Sequence, residues 1–156
     1  MSVARIALIF LAVLKTLPAQ SHGYLFFGPG GVTSGGYTSG SMYMGGGGEG
    51  IFGPGIGAGV EIGYTAPWRQ FSSGIGIASA NGSFHFHRSR PLVPFVTSGY
   101  TLFFRSGHAN GFNFGGGVNW WFSRRLGLKT EFRDHVGLGS LDDAHFWVIR
   151  AGLNFR

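Results

Sequence analysis

A chain of 156 residues has room for one domain behind any targeting segment. Glycine fills 30 positions and charged residues only 12%, against 16 Phe, 5 Tyr and 4 Trp, a balance that argues against helices and against a disordered tail and favours strands. Twelve basic residues against six acidic give a net charge of +6, but they are spread singly, which excludes a nucleic-acid surface, and the absence of cysteine excludes a disulfide framework and thiol chemistry.

The chain opens with Arg5, an apolar run from Ile6 to Leu14, then Lys15, Pro18 and the small residues Ala19 and Ser21. This is the layout of a secretory signal peptide, and the apolar run is too short to span a bilayer as a helix. Residues 1–21 are therefore expected to be removed, leaving a mature domain, 22–156, that stays mildly basic.

Beyond His22 the apolar residues recur with a period of two, as in strands with one greasy face. In chain order the expected strands are 23–32, 42–48, 55–64, 71–88, 93–105, 111–122, 126–136 and 145–155. The first is apolar on both faces at Tyr24 to Phe27. The fourth changes phase around Asn81-Gly82, between Ile75/Ile77 and Phe84/Phe86, which a bulge would explain. The last is the clearest: Trp147, Ile149, Leu153 and Phe155 alternate with Arg150, Gly152 and Asn154. Links after the odd strands read longer than those after the fourth and sixth. Eight strands with such links fit an all-β, antiparallel, up-and-down transmembrane β-barrel with both termini at the short-turn end.

Volume decides which face is inside. Eight strands enclose barely enough room for their own side chains, and Phe112, Phe114, Trp120, Phe122, Phe132, Trp147 and Phe155 would overfill it. A soluble, lipocalin-like binding barrel is the competing arrangement. With the aromatics facing lipid, the glycine-rich face becomes the lumen, and Glu61, Arg105, Lys129, Glu131, Arg133 and Arg150 are expected to form an interior ion-pair network. Its plain form is a plug and its functional form a narrow pore. Tyr64, Trp68, Trp120, Trp121 and Trp147, near segment ends, fit interfacial girdles.

The signal segment, the eight alternating segments and the closing run Phe146-Trp147-Val148-Ile149-Arg150-Ala151-Gly152-Leu153-Asn154-Phe155-Arg156 resemble small bacterial outer-membrane barrels typified by the membrane domain of outer membrane protein A. Val118-Asn119-Trp120-Trp121-Phe122 followed by Leu128-Lys129-Thr130-Glu131-Phe132-Arg133 is similar to the sixth and seventh strands of that group. The resemblance implies an outer-membrane location and a structural or surface-interaction role without catalysis. It also implies outer-membrane lipid and the barrel-assembly machinery as partners, with loops open to an extracellular partner. Members commonly end on an aromatic read by that machinery; here the assembly signal would be Phe155, with Arg156 after it.

Other motifs weigh less. Gly48-Glu49-Gly50-Ile51-Phe52-Gly53 has dinucleotide-fingerprint spacing but runs into Pro54 rather than a helix. His85 and His87 lack a third ligand for a metal, and Asp142 and Asp143 near His145 read as a solvated loop. A lipid-modifying hydrolase would need a serine beside His108 or His135, with Ser98 and Ser106 as candidates. No cofactor, metal or catalytic residue is expected.

Overall fold

The computed structural model describes residues 20–87, 89–141 and 143–156. The expected signal segment therefore lies almost wholly outside the described residues, as do Arg88 and Asp142. Eight strands follow in chain order: β1 Gln20–Ser34, β2 Tyr37–Phe52, β3 Ile56–Pro67, β4 Ile75–His85, β5 Leu92–Phe104, β6 His108–Trp121, β7 Leu126–Gly137 and β8 His145–Phe155. Each pairs antiparallel with the next, and β8 returns to β1, closing an up-and-down barrel. Closure leaves no unpaired edge.

The register fixes the geometry. Starting at His22 and crossing strand by strand through Glu49, Gly59, Asn81, Gly99, Asn113, His135 and Phe146, the path returns to β1 at Val32. It comes back ten positions further along the same strand. In an eight-stranded barrel such a stagger tilts the strands by about 40° and leaves a bore that side chains can fill.

Along most of the strands buried and exposed positions alternate, and the exposed set is the apolar one. Leu25 is 62% exposed, Val60 66% and Ile149 61%, with Phe112, Phe114 and Phe132 on the same outer wall. Glu61, Lys129, Glu131, Arg133 and Arg150 are buried inside. A water-soluble barrel buries its apolar face, so this inversion rules out the lipocalin-like arrangement.

Three expectations are corrected. β2 extends well past Gly48, and Glu49 and Ile51 continue its inward face. β4 has no bulge: its pairing with β3 and β5 runs without a skipped residue across Asn81 and Gly82. The apparent phase change arises because Ile75 and Ile77 point into the lumen while Phe84 points out, and the preceding 71–73 form a 3₁₀ turn. Connections also do not alternate cleanly in length. They are 35–36, 68–74, 105–107 and 138–144 at one end, and 53–55, 86–91 and 122–125 at the end holding both termini. β1 and β2 lengthen into residues that read as loop, and a two-residue turn suffices because Gly35 and Gly36 both take positive φ, 56° and 82°.

Candidate functional site

The lumen holds the charged side chains, and glycine makes their room. Glu131 faces Gly117 across the β6–β7 pair, Arg133 faces Gly115, Lys129 faces Gly152 on β8, and Glu61 faces Gly47 on β2. A Cβ on Gly117 would collide with the Thr130 carbonyl and the Cα of Glu131, and one on Gly115 with the Phe132 carbonyl. The close approach of backbones therefore requires glycine at these points.

Arg150 is the hub. Its two terminal nitrogens donate to Glu61 Oε1 and Oε2, each at 2.7 Å, and Nη2 also donates to Glu131 Oε2 at 2.9 Å. The three side chains are 0–1% exposed. On its other oxygen Glu131 accepts from Arg133 Nε at 2.6 Å and from Arg133 Nη2, while Lys129 Nζ lies 3.5 Å from Oε2. Tyr24 and Tyr43 donate their hydroxyls to Glu61 at 3.2 and 3.1 Å. Arg150 also stacks over the Phe26 ring at 4.0 Å, and Lys129 sits over Tyr24 and Phe95 at 4.2 and 4.4 Å. Each of these five buried charges thus has an opposite charge beside it, and Arg150 and Lys129 also lie over aromatic rings, which offsets the cost of taking them out of water.

From this hub a neutral network climbs the wall. Arg133 Nη1 donates to Asn113 Oδ1 at 3.1 Å, Asn113 Nδ2 donates to Asn81 and Thr101 at 2.9 Å each, and Thr101 Oγ1 is 3.0 Å from His135 Nδ1. Above it the lumen turns apolar. Ile77, Phe103 and Val148 are buried there, with Ile75, Ala109, Leu141 and Phe146 packed against them and the Phe103 and Phe146 rings 4.8 Å apart. Leu141 comes from the β7–β8 connection, held by hydrogen bonds from Gly137 N to Ala144 O and from Ala144 N to Leu141 O. Toward the end opposite the termini the lumen is packed with hydrocarbon, beside a cavity of about 150 Å³ between Val32, Ser41, Thr65 and Phe146.

At the terminus end Glu49 is flanked by two histidines, His85 Nε2 at 3.1 Å and His22 Nε2 at 3.3 Å, and accepts from Ser83. Ser83 Oγ also lies 3.1 Å from His85 Nε2. Serine and carboxylate therefore meet the same ring nitrogen, and His85 Nδ1 has no hydrogen-bond partner. A proton relay needs them on opposite nitrogens. The other hydrolase candidates do not converge: Ser98 is exposed, His135 is buried in the lumen, and Ser106 and His108 are exposed at the far end. His85 and His87 do not share a strand face, since β4 ends at His85 and His87 lies in the turn with φ 51°. Among the described residues no group of three or more His, Asp or Glu is placed to hold a metal.

Of the six residues expected in the lumen network, the structure brings five together. Arg105 is corrected: it lies just beyond β5, exposed, and donates to the carbonyls of Ser72 and Ser73. Trp121 is corrected too, from girdle to lumen mouth, where it meets His22 edge-on at 5.7 Å with Arg156 stacked over its ring at 3.7 Å. Sequence reading missed Glu49 and His22, and also Tyr24 and Tyr43 as partners of Glu61. Phe155 stands on the outer wall in register with Gly23 and Leu126, its ring against Gly23.

A closed eight-strand cylinder with an apolar outside and a charged, filled inside decides the architecture. The fold is that of the small bacterial outer-membrane barrels. Neisserial surface protein A superposes with a TM-score of 0.76 at 11% identity, over 88% of this chain and 97% of that one. The N-terminal β-barrel domain of Pseudomonas aeruginosa OprF gives 0.66 at 17% identity, over 88% and 98%. A de novo designed transmembrane β-barrel gives 0.55 at 16% identity, over 86% and 93%. No protein-family model matches the sequence, and no curated protein does. At these identities the likeness is one of fold, carried by alternation and register rather than by shared residues.

Proposed function

We propose that this chain is an outer-membrane barrel with a structural or surface-interaction role, non-catalytic, and self-plugged rather than conducting. The observation that carries this reading is the Arg150 bridge, which joins Glu61 on one side of the lumen to Glu131 on the other with all three side chains out of contact with solvent. Beside Lys129 and Arg133, a lumen cavity bordered by Tyr24, Glu49, Asn81, Ser83, Phe95 and Thr97 measures about 10 Å³, room for about one water. Above it the apolar cluster of Ile77, Phe103 and Val148 packs inside the bore toward the other end. Biogenesis in this reading runs through the barrel-assembly machinery, with Phe155 near the end of β8 as its handle, and the connections at 68–74 and 138–144 are the surface left to an extracellular partner.

The test is electrical and biochemical together. In cells the protein should partition with the outer membrane and migrate faster on a denaturing gel unheated than boiled. Reconstituted in a planar bilayer it should show no conductance steps. Regular steps from the purified barrel would replace the plug with the narrow-pore reading, and recovery as a dissolved monomer would remove the membrane assignment itself.

A further inference from the structure

The two ends of the barrel differ in charge. At the terminus end the turns 86–91 and 122–125 carry Arg90, Arg124 and Arg125, all exposed, and Arg156 follows β8 beside them. Among the described residues these turns and the turn 53–55 hold no Asp or Glu. Glu49, the acidic residue nearest this end, is turned into the lumen toward His22 and His85. The arginines belong to one arc. Trp121 N donates to Pro91 O at 2.8 Å, tying the Arg90 turn to the end of β6, and Arg156 N donates to Arg125 O at 3.0 Å, tying the Arg125 turn to the end of β8. The Ser123 hydroxyl accepts from the backbone N–H of Arg125 and Leu126. That turn is short and internally satisfied, so its arginines stay at the level of the wall's lower rim.

Directly above this arc the outer wall is aromatic and aliphatic: Leu92, Trp120, Phe122, Leu126 and Phe155 are 44–54% exposed. A ligand that meets both surfaces at once has hydrocarbon lying on the wall and an anion at its rim. We propose that this arc is a headgroup site for anionic phospholipid, with Arg90, Arg124 and Arg125 holding the phosphate and the Trp120–Phe122 edge holding the acyl chains. Guanidinium suits the role because its planar fork takes two phosphate oxygens at once and its stem lies along apolar surface. The site rests on the outer-membrane reading and deepens it, since it assigns the leaflet at the terminus end a preferred lipid. A periplasmic polyanion would engage the arginines but not the rings, and the turns are too short to carry them beyond the headgroup layer.

The experiment uses the whole barrel refolded into phosphatidylcholine vesicles doped with spin-labelled phosphatidylglycerol or spin-labelled phosphatidylcholine, with the motionally restricted fraction read by electron spin resonance. The unsubstituted barrel should hold phosphatidylglycerol roughly fivefold more strongly than phosphatidylcholine, the scale set by basic side chains at an anionic surface. The triple variant R90Q/R124Q/R125Q should bring that ratio to about one, while R69Q, an exposed arginine at the opposite end, should leave it unchanged. Each variant's insertion is read from its heat-shifted gel band. A ratio near one in the unsubstituted barrel, or equal loss in R69Q, overturns the headgroup site alone. Arginine-dependent sedimentation with peptidoglycan sacculi without lipid preference overturns it in favour of the polymer. An unsubstituted barrel that never inserts overturns both this site and the membrane reading beneath it.

Discussion

Arg150 and Glu61, 89 positions apart in sequence, form a two-pronged ion pair across the lumen with both contacts at 2.7 Å. Because β3 and β8 are not neighbours in the sheet, this pair braces the cylinder across its bore rather than along its wall. Removing one partner of a buried pair strands the other in low dielectric, at about 3–5 kcal/mol. E131Q should cost more than E61Q, since Glu131 answers Arg150, Arg133 and Lys129 together. Urea unfolding in vesicles reads the difference, and midpoints within error of the parent for both variants would show that the network contributes nothing to stability.

The proposed lipid face of the outer wall is tested by two exposed positions at different heights. Ile62 is 62% exposed midway along β3, whereas Tyr37 is 85% exposed at the start of β2, beside the β1–β2 turn. An arginine near mid-bilayer costs about 2–4 kcal/mol and close to nothing beyond the interface. I62R should lose folding yield in vesicles while Y37R folds like the parent. Equal yields would mean that the wall does not face hydrocarbon.

The apolar cluster separates stability from sealing. Phe103 is 3% exposed and packs on Phe146 and Ile77, so F103A should destabilise the barrel by about 3–5 kcal/mol through the cavity it leaves. The Arg150 bridge lies below that cavity and remains, so bilayer recordings of F103A should stay silent. Conductance in F103A would transfer the seal from the charged network to the hydrocarbon.

Phe155 tests biogenesis apart from folding. Its backbone pairs with β7 and β1, which F155A retains, while its ring on Gly23 is lost. The variant should therefore refold in detergent nearly as well as the parent but accumulate several-fold less in the outer membrane of cells. Parallel losses in the two assays would make Phe155 a packing residue and not an assembly signal.

Most of the cylinder is readable in the amino-acid order because an apolar outer wall over a polar lumen imposes a period of two on β3 and on β5 through β8. Where legibility fails, the cause is local. β2 carries glycine on both faces from Gly45 to Gly48, so no periodicity points Glu49 inward, and its role surfaces only when the register sets it beside His22 and across the mouth from His85. Ile75 and Ile77 mimic a break in phase because one end of the lumen is apolar. Arg105 sits one residue past the end of β5, where a shift in the strand's limit moves a charge from the bore to a loop. Nothing in the residue types of Tyr24 and Tyr43 announces a lumen role, yet their hydroxyls are used inside, on Glu61.

The seam between β1 and β8 sets a condition on how the molecule comes into being. β1 waits for the final eleven-residue strand before its second row of amides is satisfied, so a nascent chain short of β8 presents two raw edges and a carboxylate at Glu61 with no guanidinium to meet it. Such a chain has no partly finished native form to rest in: the cylinder exists only once its last strand is in place.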